Sequence, residues 1–138
     1  MTPPEIKALQ QRIFNTVRDH LLAQGTTSAE ETESGSMRCL YRGPNGTKCA
    51  AGALITDEFY LPSLEDWSID NSAPLRALGN SLGVSPDDMK AGFPHGTLLL
   101  VKRLQRIHDD AVNSVNGVTV ATWPDHLTDL AEEFGLEP

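Results

Sequence analysis

The hydrophobic residues of this chain fall into long stripes with the 3.6-residue spacing of an α-helix. The first stripe begins after Thr2, which is followed by two prolines as at many helix starts, and ends at Gly25. Similar start and stop signals bound the later stripes, the last of which opens at Trp123. These signals predict helices over residues 3–24, 74–82, 97–115 and 122–135, with a single helical turn that begins at Pro86.

Residues 37–55 break the helical pattern. Apolar and polar residues alternate on both sides of the turn sequence Gly43-Pro44-Asn45-Gly46, which predicts a β-hairpin over 37–50 followed by a short buried helix over 50–55. Residues 26–36 hold no large apolar side chain and are predicted to be a flexible loop. The expected fold is a single domain, 1–138, of the mainly α (α+β) class: a small helical bundle with one β-hairpin.

Charge is distributed unevenly along the chain. The net charge is −8, and residues 51–138 hold five Lys/Arg against fourteen Asp/Glu. Proteins that bind duplex nucleic acid normally carry a basic surface, so this class is not expected. The chain shows neither a signal-peptide pattern nor an apolar run long enough for a membrane span, and we expect a soluble protein in the cytoplasm of a host cell.

Both cysteines lie in the predicted hairpin, and its loop length decides how they relate. A four-residue loop would point Cys39 and Cys49 to opposite faces, whereas a three- or five-residue loop would place them on one face. In the cytoplasm we expect free thiols. The four histidines are scattered singly and none is close to a cysteine in sequence, so we expect no metal site and no cofactor.

Cys49 is the candidate nucleophile of an alternative, enzymatic interpretation. It precedes a predicted helix and follows Lys48, a position that would lower the thiol pKa. His108 would be the base, oriented by Asp57 or Asp109. We favour a structural role instead, because His108 lies on the apolar stripe of the central helix, where it and Asp109 would tie the hairpin to that helix. The favoured interpretation therefore has no catalytic residue.

A second alternative depends on the cations beside the hairpin turn. Arg42 and Lys48 flank a glycine-containing turn whose backbone N–H groups can hold an anion, and Tyr41 would add a stacking face. The spacing of the glycines and Lys48 does not match a P-loop. These residues would bind or sequester a phosphorylated small molecule, and an ordinary solvated hairpin is the simpler interpretation.

Several short motifs of this chain occur together in one group of proteins. They are Cys39-Leu40-Tyr41-Arg42, Gly46-Thr47-Lys48-Cys49-Ala50-Ala51-Gly52-Ala53-Leu54-Ile55, Asp57 with Tyr60, His108-Asp109, and Trp123 before the last helix. In these motifs, which span about half of the chain, the sequence resembles a widespread set of short bacteriophage and prophage-like bacterial proteins of mostly unknown function. The resemblance implies an accessory protein of a phage or mobile element and brings no known activity with it.

Three positions depart from the pattern of that group. Ala51 stands where a valine is usual, Ala53 where a further cysteine is expected, and Thr56 in place of a proline. Without the further cysteine, a redox or metal site that needs three thiols cannot form.

The acidic C-terminal part supplies the candidate surface for a partner. Its predicted last helix carries Asp125, Asp129, Glu132 and Glu133. The favoured function is therefore that of a non-enzymatic phage or mobile-element accessory protein that binds a host protein with a basic surface, with inhibition of a host defence as its expected role.

Overall fold

The computed structural model describes the backbone of residues 1–138 and every side chain except that of Lys90. Its α-helices are α1 (Pro3–Gln24), α2 (Ala50–Leu54), α3 (Ser72–Leu82), α4 (Pro86–Lys90), α5 (Thr97–Val112) and α6 (Trp123–Phe134). Two strands, β1 (Ala29–Glu31) and β2 (Met37–Cys39), form an antiparallel hairpin. Short 3₁₀ turns cover Pro44–Gly46, Pro62–Asp66, Val115–Gly117 and Val120–Thr122. The predicted mainly α fold with one β-hairpin is confirmed.

The helix ends follow the local sequence signals. The Thr2 hydroxyl accepts a hydrogen bond from the Glu5 N–H at 3.3 Å, and Gly25 closes α1 in the left-handed conformation. α5 ends at Val112 rather than at residue 115, because Ser114 and Asn116 both adopt left-handed backbone angles that stop a helix.

The hairpin lies upstream of its predicted position. β1 falls within residues 26–36, for which the sequence predicts a flexible loop, and Ala29 pairs with Cys39 while Glu31 pairs with Met37. Both strands are three residues long and largely exposed, so they lack the apolar alternation by which a strand is recognised. Contacts beyond the strands hold them: the Leu40 N–H donates to the Ser28 carbonyl at 3.0 Å, and the Ser28 hydroxyl donates to the Leu40 carbonyl at 2.9 Å.

The segment predicted as the hairpin turn is a separate compact turn. The Gly43 N–H donates to the Thr47 carbonyl at 2.8 Å, and Pro44–Gly46 forms the 3₁₀ turn between them. A side chain at Gly43 would collide with the Ser28 hydroxyl, so this glycine lets the turn pack against the base of the hairpin. Since the turn does not join two strands, neither of the loop-length alternatives for the cysteines applies.

The core lies where α1 packs against α2, α5 and α6. α1 contributes the predicted apolar stripe, and α5 contributes a buried stripe that includes His108. The Trp123 ring is fully buried, and its indole N–H donates to the Ile107 carbonyl of α5 at 3.1 Å, which fixes the start of α6. Among the helices described, none combines the length and the apolar character that a membrane crossing requires.

Gly52 sets how closely α2 approaches the chain after β2, because a Cβ at this position would overlap the backbone carbonyl of Tyr41. We expect Gly52→Ala to lower the free energy of unfolding by about 1–3 kcal/mol through overpacking, although alanine alone favours a helix by about 1 kcal/mol. Gly79→Ala in α3 is the matched control, since its Cβ would meet only the flexible end of the Met89 side chain, and we expect a smaller loss. Urea unfolding measures both, and a Gly52→Ala variant as stable as the wild type would contradict the close approach.

Candidate binding cleft beside the central helix

A cleft of about 520 Å³ opens between α5 and the segment of residues 65–70. α5 forms one wall, the other wall runs from Glu65 to Asp70, and the floor comes from the residues at the end of β2 together with Cys49. The cleft therefore joins three parts of the chain that are far apart in sequence.

The Glu65 carboxylate fixes the wall opposite α5. It accepts hydrogen bonds from the Tyr41 N–H at 2.8 Å, the Arg42 N–H at 3.0 Å and the Tyr60 hydroxyl at 2.7 Å. The Tyr41 hydroxyl donates to the Trp67 carbonyl at 2.7 Å and fixes the next part of the same wall. Burial, together with the neighbouring Glu65 carboxylate, raises the pKa of Tyr60 to about 12, so both tyrosines stay protonated and donate these bonds at neutral pH.

On the opposite wall, His108 and Asp109 connect α5 to the hairpin. His108 is fully buried, and its Nε2 accepts the Ser28 backbone N–H at 2.9 Å. The remaining nitrogen, Nδ1, therefore carries the proton and donates it to Asp109 Oδ1 at 2.8 Å. Gln105 donates to the same oxygen at 2.8 Å, while its own carbonyl oxygen accepts the Ala51 N–H at 2.8 Å. His108 therefore ties α5 to the base of a hairpin, as predicted, although this hairpin spans Ala29–Cys39 rather than residues 37–50 and the contact is made by Ser28.

Both cysteines are free thiols that line this cleft. Cys49 is the N-cap of α2, and its sulfur accepts the Gly52 N–H at 3.4 Å. Burial raises the pKa of Cys49 to about 12 in spite of that donor, so the prediction of a lowered pKa is wrong. Burial and the nearby charge of Asp109 raise the pKa of Cys39 as well.

The arrangement does not fit the enzymatic alternative. Cys49 is a buried thiol rather than a thiolate, and both ring nitrogens of His108 are already engaged by Ser28 and Asp109. Taking a proton from a substrate would require the imidazole to give up the Ser28 N–H first. The roles assigned to Cys49, His108 and Asp109 in that alternative are therefore not supported.

Cys39, His108 and Asp109 place one possible ligand atom each within 4.8 Å of one another. The histidine nitrogen that faces Asp109 is the protonated Nδ1, and the Cys39 thiol holds its proton more tightly than an ordinary cysteine. To bind here, a metal would have to displace the protons of His108 Nδ1 and of the Cys39 thiol, and the hydrogen bond from the Ser28 N–H to Nε2 would break. These three residues do not fit a metal centre as they are arranged.

The residues predicted to hold an anion are not assembled into one site. Arg42 Nη1 lies 2.8 Å from the Asp57 carboxylate, and Nη2 donates to the Ile55 carbonyl at 2.6 Å. The Tyr41 side chain is buried, so its ring offers no exposed stacking face. The lining of the cleft includes Tyr41 but neither Arg42 nor Lys48. The phosphate-binding alternative therefore gains no support from this geometry.

The predicted partner residues all lie on α6 and are exposed. Asp125, Asp129 and Glu132 are separated by four and three positions, which places them on one face of the helix. Glu133 differs from them, because Arg103 donates two hydrogen bonds to its carboxylate at 3.0 and 2.7 Å and holds its pKa below the usual range. We use the name acidic face for Asp125, Asp129 and Glu132 only.

Glu65, Trp67 and Gln105 shape the cleft, and sequence reasoning misses all three as functional residues. The local signal for Glu65 is its place in the first turn after Pro62, where helical turns favour an acidic residue. Nothing in the local sequence indicates that Glu65 reaches the backbone of residues 41 and 42, since more than twenty residues separate them.

The comparisons with known proteins were negative: no protein-family model matches the chain, and neither the curated proteins nor the solved structures gave a match.

Replacing Glu65 should disturb the floor of the cleft and the wall opposite α5. We expect Glu65→Gln to lower the free energy of unfolding by about 1–3 kcal/mol, because an amide cannot accept all three hydrogen bonds and turns N–H groups toward donors. Its exposed neighbour offers a matched control, and Asp66→Asn should change stability by less than about 0.5 kcal/mol. Chemical denaturation measures both, and equal effects of the two substitutions would contradict this role of Glu65.

The raised thiol pKa of Cys49 predicts how stability depends on pH. An unfolded cysteine loses its proton near the ordinary value of 9.0, whereas the folded one retains it up to about 12, so the folded state loses stability as pH rises through this interval. Cys49→Ser keeps an N-cap oxygen but does not titrate there. Above pH 9 we expect the free energy of unfolding of this variant to fall less steeply than that of the wild type. The two slopes should differ by about 1.4 kcal/mol per pH unit, measured by urea unfolding under reducing conditions. If the free energies of unfolding of the two proteins fell with the same slope above pH 9, the pKa of Cys49 would not be raised in the folded state.

Proposed function

We propose that the chain is a non-enzymatic accessory protein of a bacteriophage or mobile element that binds a host protein through the acidic face of α6. The observation that carries this proposal is that Asp125, Asp129 and Glu132 are exposed on one side of a helix and form no ion pair with any side chain that the structure describes. The opposite side of α6 packs into the core through residues such as Leu127 and Leu130.

The charge of the chain supports a partner with a basic surface. Unpaired carboxylates on a firmly packed helix keep their position and gain favourable energy when cations replace water around them. Charge complementarity of this kind raises the association rate and disfavours acidic partners, and these effects are larger than its contribution to affinity. The partner is therefore a protein that presents Lys or Arg side chains on an exposed segment.

The sequence motifs support a host protein as that partner. The Lys48-Cys49-Ala50 region and the His108-Asp109 pair resemble phage and prophage-like proteins. In this structure Cys49 and Ala50 lie in the core and His108 holds the base of the hairpin, so these three residues maintain the fold and lie outside the acidic face. Inhibition of a host defence is the role that we propose for the complex.

Reversing the charge of the acidic face should abolish partner binding. We expect the triple variant Asp125→Lys, Asp129→Lys, Glu132→Lys to lose the host protein that the wild type retains from a bacterial lysate. The matched control reverses three exposed carboxylates elsewhere, by Glu31→Lys, Glu33→Lys and Glu58→Lys, and changes net charge by the same amount.

Quantitative mass spectrometry of the retained proteins measures both variants, with circular dichroism to verify folding. Binding by the wild type should also weaken as salt is raised from about 0.05 to 0.5 M, because exposed charges are screened. A partner that is kept by the acidic-face variant, or lost equally by the control, would refute the proposed surface.

A further inference from the structure

The cleft beside α5 combines an exposed aromatic residue with an apolar floor. Trp67 on its wall is 55% exposed, whereas Tyr41 and Ile69 in the same lining are buried. A large aromatic residue that stays exposed next to a cleft loses the benefit of burial in the free protein. It is also the side chain that binds a planar cation most strongly over its face.

The same cleft holds an excess of negative charge. Five carboxylates line it against the two cations Lys102 and Arg106. Some of these charges are already balanced: Asp70 lies 3.6 Å from Lys102, and Glu65 is occupied by its three donors. A cationic ligand is therefore favoured over an anionic one.

Asp109 is the carboxylate best placed to receive that cation. Its hydrogen-bond donors are His108 and Gln105, and both are neutral, so they orient the carboxylate without balancing its charge. The Asp109 side chain is 38% exposed and lines the cleft. A preorganised carboxylate of this kind gains more from a cation than a mobile surface carboxylate does, because less side-chain entropy is lost.

The cleft continues toward the acidic face. Arg106 and Asp110 line both this cleft and a second groove between α5 and α6, whose lining includes Asp129 of the acidic face. An extended segment of a partner that contacts α6 can therefore continue past Arg106 and Asp110 into the cleft.

We propose that the cleft receives an arginine side chain from an exposed segment of the host protein, an inference that deepens the proposed function and rests on it. The guanidinium group binds the Asp109 carboxylate and stacks on Trp67, and its aliphatic stem lies on the apolar floor. Arginine is preferred to lysine because a planar guanidinium satisfies a carboxylate and an aromatic face together, whereas an ammonium group is a compact and strongly hydrated charge.

A pair of synthetic peptides tests this preference. The probe is a C-terminally amidated heptapeptide that alternates glycine with three arginines and carries a fluorescent label at its N-terminus, and its matched control carries lysine in place of arginine. We expect the arginine peptide to bind about fivefold more tightly by fluorescence anisotropy of a labelled end. It should also change the tryptophan emission, which reports on the cleft because Trp67 is exposed whereas Trp123 is fully buried.

Two variants locate the site. Trp67→Ala removes an exposed side chain and should bring the affinities for the two peptides within about twofold of each other. Asp109→Asn should weaken the arginine peptide about tenfold. If Asp109→Asn fails to fold, the arginine preference of Trp67→Ala tests the proposal by itself. A wild type that binds both peptides equally, or a Trp67→Ala variant that keeps the full preference for arginine, would overturn the proposal.

The outcomes separate this inference from the proposed function. Loss of the host protein on reversal of the acidic face, together with no arginine preference in the wild type, would refute the cleft and leave the function standing. Retention of the host protein by the acidic-face variant, together with an arginine preference that depends on Trp67, would refute the α6 surface and support the cleft.

Discussion

The rest of the structure depends on the buried imidazole of His108. A fully buried ring with two polar nitrogens is stable only when both are hydrogen-bonded, and here the partners come from separate parts of the chain. The Ser28 N–H fixes the base of the hairpin, and the Asp109 carboxylate fixes the wall of the cleft. The Trp123 ring stacks on the imidazole with centroids 6.0 Å apart, so the start of α6 is aligned to the same group. One side chain thus sets the positions of the hairpin, the cleft and the helix with the acidic face.

The same contacts decide the chemistry of the cysteines. A helix start favours a thiolate by about 0.3–1 kcal/mol, and α2 is only five residues long. Removing a charge from water costs several kcal/mol, so burial outweighs the helix and the thiol of Cys49 keeps its proton. Burial and the neighbouring Asp109 carboxylate keep the thiol of Cys39 protonated as well. In this motif Cys49 therefore acts as the cap of α2, and Cys49 and Ala50 belong to the core.

The sequence predicts well those elements whose causes are local. The sequence predicts α1 with its observed bounds because Thr2, the two prolines and Gly25 act within one turn of the helix that they begin or end. The hairpin was misplaced because Ser28 and Leu40 hold it through bonds across its base, while the strands themselves carry no apolar pattern. The cleft was missed for the same reason, since Glu65 and Gln105 act on backbone groups more than twenty residues away. The burial of His108 can be predicted, because its place on the apolar stripe of α5 is itself a local signal.

Charge on α6 is insufficient by itself for a specific complex. An exposed ion pair contributes about 0–1 kcal/mol, so three carboxylates supply much less than the roughly 8 kcal/mol of a micromolar complex. Interfaces obtain most of their affinity from a few well-packed anchors, among which tryptophan and arginine are frequent. Trp67 and the uncompensated Asp109 carboxylate offer such an anchor, and Arg106 and Asp110 connect it to the groove beside α6. The exposed carboxylates would then guide a basic segment toward the surface, and the cleft would determine which segment stays bound.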